Sequence, residues 1–234
     1  MHSNAGKIRN WKSLESQIAD CEQCPRLRKH CLEIARVKRK AFLAEKYWGR
    51  PIAGFGDYKA RLVIIGLAPA AHGANRTGRV FTGDRSGDWL YRALHKAGFA
   101  NQPTSTSRDD GLKLNDCFIT ATVKCAPPDN KPTPDEITQC SSYLNWELTH
   151  LKQARVFLAL GKIGFDAVWD FLKTQGEAHG RRPEFGHNRA TKLDSGRWLL
   201  ASYHPSQQNT FTGKLTEPMF DSVFTQAREV IELT

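Results

Sequence analysis

The sequence predicts an α/β fold: a three-layer αβα sandwich around a central four-stranded, mostly parallel sheet. Two observations predict it. Four short apolar runs, at 62–67, 117–123, 156–160 and 198–203, are continuous rather than alternating, as strands are when both faces of their sheet are covered. A helical pattern follows each run, and strand–helix alternation of this kind places crossover helices on the faces of a parallel sheet.

The helices carry their own start signals. Ser86 and Gly87 precede Leu90, Leu94 and Ala97, spaced four and three. Thr133-Pro134-Asp135-Glu136 is a capping box with proline at the first helical position. It opens a helix with Ile137, Leu144, Leu148 and Leu151 on one face. Residues 163–172 form the third helix. Thr216-Glu217-Pro218 opens the last, whose core face carries Phe220, Val223, Phe224, Ala227, Val230 and Ile231. The polar segment 176–190 is expected to be a long loop. Ligands of parallel sheets bind beyond the carboxyl ends of the strands, so 66–85, 124–133, 161–164 and 203–215 are the expected functional loops.

With 234 residues and roughly 150 per domain, one domain over 1–234 is expected, with 1–60 as an N-terminal basic elaboration. The composition, 40% hydrophobic and 25% charged, is globular rather than disordered. No apolar run approaches the length of a membrane span. The first twenty residues lack the apolar core of a signal peptide, which predicts a chain kept in the reducing cytoplasm. Lys plus Arg number 34 against 24 Asp plus Glu, a net charge of +10. Between Pro25 and Arg50, nine basic residues face only Glu33 and Glu45, a net +7. Such a stretch is either a solvated helix face or a phosphate-facing surface.

Of six cysteines, Cys21-Glu-Gln-Cys24 forms a C-x2-C pair, and Cys125 and Cys140 lie in the loop after strand two and in the following helix. Two distant pairs suit either a structural zinc site or a [4Fe–4S] cluster. Cys117 and Cys31 fall on apolar patterns and are expected in the core, Cys31 remaining a candidate ligand. The densest segment is 66–84, GLAPAAHGANRTGRVFTGD. Gly73 and Gly78 have P-loop spacing, but Arg79-Val80 stands where Lys-[ST] belongs. Gly66 is followed by Leu67 and Ala68, which defeats the dinucleotide fingerprint. The remaining reading is a pocket whose backbone and compact residues grip a planar ligand. Phe81 supplies a stacking face and Asp84 a carboxylate that also caps the next helix. His204 follows strand four directly and meets the same sheet edge. After it, Gln207, Gln208, Asn209 and Lys214 are hydrogen-bond formers suited to phosphates.

GLAPAAHGANRTGRVFTGD (66–84), VKCAPPDNKPTP (123–134) and SYHPSQQNTFTGKLT (202–216), with the four cysteines, resemble the uracil-DNA glycosylase superfamily, and most closely its family 5, the type b enzymes. The resemblance implies a monofunctional DNA glycosylase of base excision repair, acting on uracil and on hypoxanthine, xanthine or other deaminated bases. It implies a [4Fe–4S] cluster at Cys21, Cys24, Cys125 and Cys140. Family-4 enzymes carry a water-orienting Glu where Ala68 stands and a uracil-reading Asn where Ala121 stands. The resemblance therefore passes the carboxylate's duty to Asp84, with Asn130 as the nearby amide and looser discrimination between bases.

The expected catalytic set is Asp84, His204 and Asn130. Gly66, Leu67, Ala68, Pro69, His72 and Phe81 would hold the flipped base. Arg76, Arg79, Ser206, Gln207, Gln208, Asn209 and Lys214 would contact DNA, with Phe211 filling the gap in the duplex. His204 would bond the departing base oxygen as imidazole or imidazolium. The expected partner is DNA bearing a deaminated base, with no membrane, no nucleotide cofactor and a monomeric state. The rival readings are a non-catalytic basic zinc module that binds nucleic acid, and a phosphohydrolase using the Gly73–Gly78 loop.

Overall fold

The computed structural model describes residues 8–233. Two helices lead, α1 (Trp11–Ala19) and α2 (Pro25–Val37), and a 3-10 turn follows at Lys40–Phe42. Then come β1 (Phe55–Gly56), β2 (Leu62–Gly66), α3 (Ala74–Thr77), α4 (Arg85–Lys96) and β3 (Cys117–Ala121). After a 3-10 turn at Pro128–Asn130 the chain forms α5 (Pro134–His150), β4 (Val156–Leu160), α6 (Lys162–Thr174), β5 (Arg189–Lys192), β6 (Trp198–Ser202), α7 (Gln207–Phe211) and α8 (Glu217–Glu232).

The sheet order is β1-β3-β2-β4-β6-β5. The four apolar runs form its parallel centre, and two antiparallel strands flank it. The sheet thus has six strands, not four. Both additions are edges too short or too polar to show as apolar runs. β5 also takes the last residues of the segment expected to be a loop at 176–190.

Alternation along β2 builds three layers. Ile64 packs with α4 and α8 through Leu90, Leu94, Phe220 and Phe224. Val63 and Ile65 face α5 and α6 through Leu144, Leu148, Phe165 and Val168. All five β2 residues are buried, which is why the run reads as continuously apolar. A third, smaller core joins α1 and α2 to the loop after β3 through Leu14, Ile18, Leu27, Cys31 and Val123.

The predicted caps are present. Asp84 accepts from Gly87 N at the start of α4, Thr133 and Glu136 form the reciprocal box of α5, and Thr216 caps α8. Parallel register aligns Gly66 with Ala121 and Leu160 with Ser202. The segments leaving β2, β3, β4 and β6 therefore emerge on one edge of the sheet. No helix among the described residues is long and apolar enough to cross a membrane.

Candidate functional site

At that edge lies a cleft of about 650 Å³, lined by residues 67–73 after β2, by Phe81 and Asp84, by Ala121 and Asn130, and by His204 and 206–208. Thr122 N and Oγ1 both donate to Gly66 O, at 2.9 and 3.0 Å, and Val123 N donates to Leu67 O at 2.9 Å. These bonds pin the wall formed by the start of the β2 loop to the backbone beyond β3.

Phe81 is held by close approaches. Its φ is +51°, a left-handed conformation uncommon for an aromatic residue and costing on the order of 1–3 kcal/mol. The surroundings enforce it. A β-carbon on Gly66 would stand 2.8 Å from Phe81 Cζ, and one on Gly87 only 1.8 Å from Phe81 O. Gly66 therefore makes room for the tip of the ring and does not line the cleft. The ring stacks on His204 at 5.8 Å between centroids and 28° between planes.

Asp84 sits at the N-terminus of α4 with Oδ1 accepting from Gly87 N at 3.0 Å. Burial, then the like charge of Asp88, raise its pKa above the ordinary aspartate value, against the N–H groups of Gly87 and Ser86 and the more distant Arg76. Burial alone lowers His204 to about 4, so its imidazole is neutral at neutral pH. The His204 carbonyl accepts from Asn209 Nδ2 at 2.8 Å, which fixes the turn into α7. Ser206 caps that helix. Asn130 reaches the rim from the 3-10 turn, where Asp129 and Asn130 take φ values of +53° and +56° just after Pro127 and Pro128.

Of the residues expected to hold a base, Leu67, Ala68, Pro69, His72 and Phe81 line this cleft, together with the expected trio Asp84, His204 and Asn130. Two residues expected on the DNA face turn inward instead. Arg79 is 5% exposed, paired with Asp110 at 2.7 Å and bonded to Ser105 and Thr82. Arg76 is 8% exposed, paired with Glu45, and donates to His72 O and Gly83 O. Both brace the loop from beneath. Asn209 also faces inward, whereas Gln207, Gln208 and Lys214 are exposed. Between Gly73 and Gly78 the chain forms the helical turn α3, so the open phosphate loop of the phosphohydrolase reading is not formed.

Sequence reasoning missed Arg39 and Phe42, which line the cleft from the basic segment. Their signal was a basic run interleaved with an aromatic, Lys38-Arg39-Lys40-Ala41-Phe42. Arg26, Arg28, Arg36 and Arg50 in the same segment are committed to Glu136, Glu22, Glu33 and Asp20, so part of this segment's charge serves folding.

Cys21, Cys24, Cys125 and Cys140 line one small pocket with Leu27, Val123 and Tyr143, and no carboxylate or imidazole lines it. Among the described residues no three His, Cys, Asp or Glu side chains close on a single ion. Lys124 N donates to Cys140 Sγ at 3.2 Å. Burial raises Cys140 to about 11, and burial with the neighbouring Cys21 thiol raises Cys24. Cys31 is fully buried beside this group, its Sγ near Ala126 O at 3.6 Å. Cys117 is buried in the sheet.

Residues 53–228 match the family model of the uracil DNA glycosylase superfamily. A type-5 uracil-DNA glycosylase of Mycobacterium leprae is 50% identical over 232 residues, spanning 98% of this chain and 98% of that protein. One from Thermus thermophilus is 47% identical over 216 residues, 92% of this chain and 96% of that protein. A type-4 uracil-DNA glycosylase of Pyrobaculum aerophilum is 29% identical over 202 residues, 83% of this chain and 82% of that protein.

Proposed function

This chain belongs to the uracil-DNA glycosylase superfamily, and we propose that it excises uracil from DNA by hydrolysing the N-glycosidic bond, leaving an abasic site for base excision repair. The observation that carries this reading is the meeting of Asp84, His204 and Phe81, from two separate loops, on one base-sized cleft. A binding module without chemistry has no use for that arrangement, and the relatives carry the names of enzymes.

A base inside the stack is out of reach, so the nucleotide is extruded into the cleft. Phe81 stacks on it, a contact worth about 1–3 kcal/mol. As the bond breaks, the sugar becomes oxocarbenium-like and the base anionic. Asp84 takes a proton from the attacking water, and its raised pKa suits that duty better than an ordinary aspartate's. Before that transfer, its negative charge also steadies the sugar cation. His204, held neutral, donates an N–H to the departing base oxygen rather than a full proton. Asn130 helps place the water from the opposite rim. Ala121 leaves the end of β3 without a polar reader, which supports hypoxanthine and xanthine as further substrates. Arg39, Arg85, Ser206, Gln207, Gln208 and Lys214 hold backbone phosphates. Phe211, 67% exposed beneath the Arg85 guanidinium, fills the vacated stack. One chain supplies every group, so a monomer suffices.

The cysteine pocket fits a [4Fe–4S] cluster held by Cys21, Cys24, Cys125 and Cys140. Four thiols, with no carboxylate or imidazole among the lining residues, make a donor set for soft metal centres. Such a cluster would cross-link the N-terminal elaboration to the segment after β3.

Asp84→Asn keeps the helix cap, since Asn caps as well as Asp. We expect single-turnover cleavage of a uracil-containing duplex to fall by about 10²-fold or more, with duplex binding retained. Undiminished cleavage would remove Asp84 from the mechanism.

A further inference from the structure

The N-terminal elaboration reaches the cleft through one more residue, Tyr47. At the end of α2, Lys38 adopts φ +59°, which turns the next backbone N–H inward. Arg39 N then donates to Tyr47 Oη at 3.3 Å, and the same oxygen lies 3.0 Å from His72 Nδ1. Tyr47 is 7% exposed.

A tyrosine hydroxyl has one proton to give. With Arg39 N–H donating to that oxygen, the acceptor for its proton among the described residues is His72 Nδ1. The reverse arrangement, Nδ1–H donating to the oxygen, strands a buried O–H without an acceptor. A doubly protonated ring is opposed by burial and by Arg39, Arg76 and His30 around it. The ring proton therefore sits on Nε2. That nitrogen has no protein partner among the described residues, and His72 lines the cleft.

We propose that Tyr47 is a positioning residue for base selection: it fixes His72 as the Nε2–H tautomer, so the cleft meets the base with a donor. Aimed at the 4-position of a pyrimidine or the 6-position of a purine, that donor is accepted by the keto oxygens of uracil, hypoxanthine and xanthine. The exocyclic amines of cytosine and adenine oppose it, N–H against N–H. Ala121 shows the same cleft only a methyl, so a polar reader of the base edge has to stand elsewhere on the wall, where His72 is. The inference rests on the glycosylase reading and deepens it. Sites that hydrogen-bond a substrate edge discriminate strongly because a mismatch leaves buried polar groups unpaired.

The test compares wild type, Tyr47→Phe and His72→Gln. Binding is measured to duplexes carrying uracil or cytosine on a 2′-fluoroarabino sugar, which resists cleavage. We expect wild type to prefer the uracil duplex. Tyr47→Phe, which frees the tautomer, should lower that preference about tenfold, chiefly by tightening the cytosine complex. His72→Gln, whose amide offers either end, should do the same. Imidazole ¹⁵N resonances should show Nε2–H for wild-type His72 and a tautomer mixture in Tyr47→Phe. A wild-type Nδ1–H tautomer, or variants that weaken both duplexes equally or change neither, would overturn the inference while leaving the glycosylase reading intact. A wild-type chain with no preference for the uracil duplex would sink that reading, and this inference with it.

Discussion

Replacing Gly73 with alanine displaces Asp84 without altering its charge. A β-carbon at residue 73 would stand 1.9 Å from Asp84 Oδ2, 2.7 Å from Cγ and 2.9 Å from Cβ. Real β-carbons essentially never approach heavy atoms under 3.0 Å, so the carboxylate must retreat by about 1 Å. Oδ1 is tethered to Gly87 N at 3.0 Å, so the retreat swings Oδ2 about that anchor. Misplacement of a reacting group by about 1 Å costs on the order of 10²-fold in rate. Gly73→Ala should therefore cleave a uracil duplex about 10²-fold more slowly in single-turnover rapid quench. Its binding to a non-cleavable uracil duplex should be close to wild type. In an Asp84→Asn background the same change should have little further effect, because both remove one function. Wild-type cleavage by Gly73→Ala, or equal losses in both backgrounds, would refute the assigned placement of Asp84.

The pH profile of single-turnover cleavage should rise with pH through the raised pKa of Asp84, because the working form is the carboxylate. His204, neutral down to about pH 4, should add no inflection near an ordinary histidine value; an inflection there that disappears in His204→Asn would contradict its neutral role. Arg79→Gln should lower stability by about 1–3 kcal/mol, because it removes the charged partner of Asp110 while the N–H groups of Thr106 and Leu112 still reach that carboxylate, a fall in Tm of roughly 5 °C. The salt slope of DNA binding should be unchanged in that variant, and a slope reduced by one phosphate contact would return Arg79 to the DNA face. Purified wild type should be brown and contain iron and sulfide, and Cys24→Ser should have neither; a colourless wild type with stoichiometric zinc would overturn the cluster.

Burial decided which parts of the fold and site were readable. The four central strands were legible because both their faces are covered, leaving apolar runs without alternation. The edge strands were not. Phe55–Gly56 is two residues long, and Arg-Ala-Thr-Lys at 189–192 carries charge at both ends. Asp84 and His204 could be brought together from sequence because parallel topology sends both loops to the same edge. Arg76 and Arg79 misled because their partners, Glu45 and Asp110, lie 31 residues away in each case, and no local pattern joins such pairs. Arg39, Phe42 and Tyr47 fall in a segment almost without regular structure, where periodicity offers nothing to count. The tautomer of His72 depends on a hydroxyl from that same segment.

The pile of Phe81 on His204 is built from contacts within the protein itself. Two glycines clamp the upper ring, and an amide from α7 ties down the backbone of the lower. The protein therefore loses little conformational entropy when a nucleotide docks. The energetic burden of extrusion falls on the duplex, and mispaired positions open most cheaply. A finished stacking face makes the weakness of the DNA itself the first filter, so that search along intact helix can proceed without the enzyme reshaping itself at every step.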